Sequence, residues 1–154
     1  MKLTLLDCVQ SNDTLQNLTN RNFSNFKVAY RISRIAKEVA DQKEFCGKEE
    51  AKILKKYFKT DDQGELILNE TKTQFIPKGE TDEEKEANMK ALNKEMDKLH
   101  SMEVELTSIT KNISLSESDL ATITNPKEIS VLSLFFDINL DEEDEDIPQS
   151  PASN

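Results

Sequence analysis

The chain has 154 residues, room for one domain and a tail, with 36% apolar residues, 32% charged residues and a formal net charge of −10. No stretch approaches the ~20 apolar residues that a membrane span needs, and the opening MKLTLLDCVQSND, interrupted at Asp7 and lacking a small-residue cleavage site, is expected to be folded structure rather than a signal peptide. Residues 137–154 hold −7 of the charge and no Lys or Arg, which leaves a nearly balanced −3 on residues 1–136 and argues against a nucleic-acid-binding body.

Leu3, Leu5, Leu6 and Val9 form an apolar opening. Ser11-Asn12-Asp13 then brings residues that favour caps and turns. Leu15 and Leu18 resume at helical spacing. This predicts one or two short helices across residues 4–20, after a very short strand at most.

The strongest periodic signal runs from Ser24 to Tyr57. Val28, Ile32, Ile35, Val39, Gln42, Cys46, Glu49 and Ile53 recur at alternating spacings of four and three. That is one stripe of a long helix. Phe26, Tyr30 and Ala36 are expected to widen the buried face near its start. Gly47 is a candidate bend. Lysines crowd the C-terminal end, where cations suit the helix dipole.

The period then changes. Asp61-Asp62-Gln63-Gly64 signals a turn, and Leu66-Ile67-Leu68 followed by TKTQFIP predicts a β-hairpin over residues 65–76, ended by Pro77 and Gly79. Thr81-Asp82-Glu83-Glu84 is a capping box, with the Thr81 hydroxyl on the Glu84 N–H and the Glu84 carboxylate returning to the Thr81 N–H. A helix follows to about His100, with Ala87, Leu92, Met96 and Leu99 as its buried stripe. The segment LHSMEVELTSI has two readings. Leu99, Leu106 and Ile113 repeat every seven residues, but Met102, Val104 and Leu106 alternate with Glu103, Glu105 and Thr107 without exception. We take it as a strand beside the 65–76 hairpin. Asn125-Pro126-Lys127-Glu128 starts a last helix, with Asn at N-cap and Pro at N1. From Asp137 the composition turns acidic and then Pro/Ser-rich, and is expected to be disordered.

Recognisable site chemistry is sparse. The five N-x-S/T matches are chance occurrences in an Asn-rich chain without secretion. Cys8 and Cys46 sit among apolar neighbours and are expected to be buried free thiols in a reducing cytoplasm. His100, the single histidine, is expected to be a favourable cation at a helix end. No CxxC, HExxH, GxGxxG or P-loop occurs, so no cofactor or metal is expected. Glu103 and Glu105, on one strand face at about 6.5–7 Å, suggest paired carboxylates for acid–base work or metal-dependent hydrolysis. A solvated strand face is the favoured account. Lys27, Arg31 and Arg34, with Arg21 nearby, form a basic stripe, and Lys52 to Lys59 form another. With no interleaved aromatic platform evident, both are expected to be solvated helix faces. The tail Asp141, Glu142, Glu143, Asp144, Glu145 and Asp146 lacks the spaced ligands of a calcium loop.

In order, LQNLTNRNFSNFKVAYRISRIAKEV, AKILKKYFKTDDQGEL, MKALNKEMDKLHSMEVEL and ISLSESDL…ITNPKEISVLSLFF resemble a loose group of small tailed-phage and prophage proteins. The resemblance spans roughly residues 15–136. It implies a long helix, a hairpin, a second helix, an extended strand and a short terminal helix, and it carries no functional residues across.

The expected fold is mainly α with a small antiparallel β-sheet: a long antiparallel helical hairpin joined by a β-hairpin, with short N- and C-terminal helices. Residues 1–136 form one domain and 137–154 an acidic tail. The expected function is a non-enzymatic phage or prophage protein acting through a protein partner or its own copies, in the host bacterial cytoplasm or associated with the virion. Candidate contacts are Lys27, Arg31, Arg34, the stripe interruptions Gln42 and Glu49, and the acids Asp141 to Asp146. The alternative is an acidic nucleic-acid mimic that occupies a host enzyme's basic groove.

Overall fold

The computed structural model describes residues 2–107 and 112–140. It is mainly helical, at 59%, with one small sheet. The elements are α1 (Leu5–Leu18), α2 (Phe26–Tyr57), α3 (Asp82–His100), β1 (Asn112–Leu115), α4 (Glu117–Ala121), α5 (Pro126–Phe135) and β2 (Asp137–Leu140).

The 32 residues of α2 make a rod of about 48 Å at 1.5 Å per residue. Two antiparallel helices cover it in succession. Against its first half lies α1, where Gln16 Nε2 donates to the Ala36 carbonyl at 3.0 Å and Lys43 pairs with Asp13 at 3.7 Å. Against its second half lies α3, where His100 meets Glu50 and Lys56 meets Glu95. Neither partner alone is long enough. The stripe residues Val28, Ile32, Ile35, Ala36 and Val39 join Leu15, Leu18, Ile113, Leu115, Leu132 and Phe135 in one core. Gly47 is passed without a break in the helix.

Phe26 and Tyr30 do not widen that face. They are 87% and 60% exposed. At about 100° per residue, Tyr30 stands roughly 200° from both Val28 and Ile32, so it points away from the stripe, and Phe26, one turn earlier, does the same. Ala87 is likewise exposed, and Leu92 is the buried residue of α3. Ser11-Asn12-Asp13 does not divide α1. One helix runs through, capped by Thr4 and Asp7 in a reciprocal box, with Ser11 and Asn12 buried inside the fold. At the start of α3 the Thr81 hydroxyl accepts from the Glu84 N–H at 3.1 Å, but the Glu84 carboxylate takes the Glu80 N–H instead of that of Thr81.

The expected antiparallel sheet is not what forms. The two-stranded sheet is parallel, with Asn112 opposite Asp137 and Leu115 opposite Leu140, and α4 and α5 make the crossover. Parallel neighbours require such a long connection. Antiparallel pairing over 58–77 is limited to single bridges, Phe58 with Pro77, Thr60 with Leu66 and Leu68 with Phe75. Turns at Asp61–Gly64 and Asn69–Lys72 cut the segments too short for a ladder. The first is set as the sequence predicts: Asp61 Oδ1 accepts the N–H of Gln63 and Glu65, and Gly64 takes φ +83°. Those N–H groups hold the Asp61 carboxyl below its usual range. Nor does residues 102–106 add a strand to this hairpin. Glu103 bridges Thr4 instead, with Leu5 N–H on the Met102 carbonyl and Val104 N–H on the Leu3 carbonyl. The sequence places the end of the body at residue 136, whereas β2 carries it to Leu140.

Two buried acids tie the loop between α1 and α2 to the C-terminal region. Asp119, fully buried, accepts the Ser24 N–H at 2.7 Å and its hydroxyl at 2.9 Å. Glu128, also buried, takes a bidentate pair from Arg21 at 2.6 and 3.2 Å and the Thr124 N–H at 2.8 Å. The Arg21 guanidinium holds the Glu128 carboxyl below the usual range against the opposing effect of burial. A carboxyl depressed in the folded chain is protonated first in the unfolded one. Its contribution is therefore complete above the ordinary carboxylate range near pH 4.5 and is lost as pH falls through the folded value. Glu128→Gln is expected to flatten the acid limb of a stability curve, measured as urea midpoints from about pH 7 to about pH 3. An unchanged slope would show that other carboxyls set it.

Candidate functional site

The start of α2 presents the aromatic–basic surface that the sequence does not reveal as one. Asn25 caps the helix by accepting the Lys27 N–H at 2.8 Å. Phe26 and Tyr30, one turn apart, then stand outward with Lys27 and Arg34. Arg34 lies over the Tyr30 ring, 5.7 Å from its centroid, and donates to its hydroxyl at 3.0 Å. That contact raises the Arg34 pKa and fixes the guanidinium on the aromatic face. Arg31 is withdrawn from this surface: half-buried, it donates to the Asn112 carbonyl and braces β1. The expectation that no aromatics interleave with these bases is therefore corrected. They do interleave, because Phe26 and Tyr30 share the outer face with Lys27 and Arg34. Covering such an aromatic side chain stabilises a complex by about 1.5–3 kcal/mol.

The other predicted positions are scattered. Gln42 and Glu49 are half-buried, and Glu49 pairs with Lys52 at 2.9 Å. Lys56 is held by Glu95, which Tyr57 also contacts. Glu103 and Glu105 are exposed, and Glu103 pairs with Lys2 at 3.4 Å. Asp141 to Asp146 lie outside the described residues.

A second cluster stands further along α2. Cys46 and Glu50, at i and i+4, face the last residue of α3, His100. His100 Nε2 and Glu50 Oε2 are 2.6 Å apart, and the ligand atoms of all three residues lie within 4.8 Å of one another. Cys46 is 1% exposed, while the Glu50 and His100 side chains are 35% and 27% exposed. Burial, reinforced by Glu50, pushes the Cys46 thiol up to about 11. Both cysteines are free and buried, as their neighbours predict, and burial pushes Cys8 up to about 12. The expectation that His100 is a simple helix-end cation misses this grouping. Spacing gives only the Cys46–Glu50 half, because His100 is 50 residues away from Glu50.

No helix among the described residues is long and apolar enough to cross a membrane. No family model matches the chain, and neither a curated protein nor a solved structure matches it.

Proposed function

We propose that this protein is a non-enzymatic interaction module, of phage or prophage origin, whose contact face is the N-terminal end of α2. The origin rests on the sequence resemblance. The contact face rests on one observation: Phe26 and Tyr30 project from a capped helix, 87% and 60% exposed, flanked by Lys27 and Arg34. Two exposed aromatics with cationic neighbours, of which Arg34 is held on the Tyr30 ring, match the composition of interface centres, which are enriched in aromatics and Arg. The core stripe of the same helix is already covered by α1 and α3, so the helix offers partners its outer face. The mimic reading puts the contact in the acidic tail instead.

The two readings separate in one capture experiment from host lysate with three baits: the full chain, the chain ending at Leu140, and Phe26→Ala/Tyr30→Ala. Truncation at residue 141 keeps β2, which an earlier cut would remove. The double variant is expected to lose the captured partner at least about tenfold, a loss of about 1.4 kcal/mol, while its unfolding free energy from urea titration stays within about 0.5 kcal/mol of the parent because both side chains are exposed. Capture lost only on truncation would replace this reading with the mimic.

A further inference from the structure

We propose that Cys46, Glu50 and His100 bind a zinc-like divalent transition-metal ion, with solvent completing the coordination. This goes beyond the contact role, since Cys46 stands about 30 Å along α2 from Phe26.

The donor set carries the chemical argument. Thiolate sulfur, imidazole nitrogen and one carboxylate oxygen together select a borderline ion such as zinc over magnesium or calcium, which take oxygen ligands. The helical frame carries the geometric one. Positions i and i+4 put Cys46 and Glu50 on one face of α2, and the antiparallel packing of α3 brings His100 opposite them. Bonds of about 2.0–2.3 Å at tetrahedral angles place ligand atoms roughly 3.3–3.6 Å apart. The observed 2.6 Å between His100 and Glu50 must widen by about 0.7 Å, and atoms within 4.8 Å must close by about 1.5 Å at most. Side-chain rotation supplies both without moving either helix. The ion replaces the Cys46 thiol proton, which leaves to solvent, and it replaces the direct His100–Glu50 hydrogen bond. Three protein ligands leave one position open to water, reached from the side on which Glu50 and His100 are partly exposed.

The cluster crosses the interface between α2 and α3. A bound ion therefore links the two helices and stabilises the folded chain by mass action.

The test is titration of the full-length, chelator-treated and reduced protein with cobalt(II), followed by zinc. The expected result is one equivalent bound with a thiolate-to-cobalt charge-transfer band and tetrahedral d–d bands, bleached by zinc, and a thermal midpoint that rises with zinc concentration. Cys46→Ser is expected to abolish the charge-transfer band. His100→Gln, a change at a partly exposed position, is expected to weaken cobalt binding at least about tenfold with helicity retained by circular dichroism. The chain ending at Leu140 is expected to bind as the full chain does. Absence of the charge-transfer band overturns the proposal. So does a site that survives His100→Gln at full affinity, or one that disappears with residues 141–154.

Discussion

Ile35→Asp is expected to unfold the protein. Ile35 is fully buried in the stripe of α2, within the core that also holds residues of α1, β1 and α5. Aspartate there loses the burial of a whole aliphatic side chain and places a carboxylate where no cation is adjacent in the stripe. Each effect costs several kcal/mol. Their sum is comparable to the roughly 5–15 kcal/mol that holds a domain of this size together. The expected observation is loss of the cooperative urea transition and of most helical circular dichroism at 25 °C. A cooperative transition within about 1 kcal/mol of the parent would mean that this part of α2 is not packed as described. A change at Ile35 therefore reports on folding, and the proposed contact face is probed at the exposed Phe26 and Tyr30 instead.

Asp119→Ala is expected to cost roughly 2–4 kcal/mol, since it removes two charge-assisted hydrogen bonds and leaves the Ser24 N–H without its acceptor. The consequence reaches the proposed contact face. Ser24 lies two residues before Phe26 and next to the Asn25 cap, so Asp119 fixes the direction in which α2 begins. Native-state hydrogen exchange is expected to quicken first in residues 19–27, before the C-terminal half of α2 is affected. Exchange that quickens uniformly would show that Asp119 contributes to global stability without anchoring this loop in particular. Asp119→Asn provides the intermediate case: it keeps an oxygen for Ser24, loses the charge, and is expected to retain most of the ordering.

Helix boundaries were largely legible because they are fixed by short-range chemistry. Asn125 caps α5 through the Glu128 N–H at 3.2 Å, Thr81 caps α3, and the alternating four-and-three spacing marks α2 to within two residues of its observed start. Failures came where one sequence pattern permits two environments. Phe26 and Tyr30 are apolar and close to the stripe in sequence, yet the 100° step turns them outward. Ser11 and Asn12 favour turns, yet α1 packs so fully on α2 that the helix continues through them. The Met102–Leu106 alternation does mark extended chain, but alternation does not name the neighbour, which is the residue before α1 rather than the 65–76 hairpin.

The amino-acid sequence by itself determined what depends on neighbours three or four positions away: α2, α3 and α5, the Thr81 and Asn125 caps, the Asp61–Gly64 turn and the burial of both cysteines. Tertiary structure alone decided what depends on distant segments meeting. It set the parallel pairing of β1 with a β2 that composition assigns to the tail. It withdrew Arg31 to Asn112. It also brought His100 to Cys46 and Glu50. Those outcomes depend on which distant segments meet, a long-range choice that local periodicity permits without specifying.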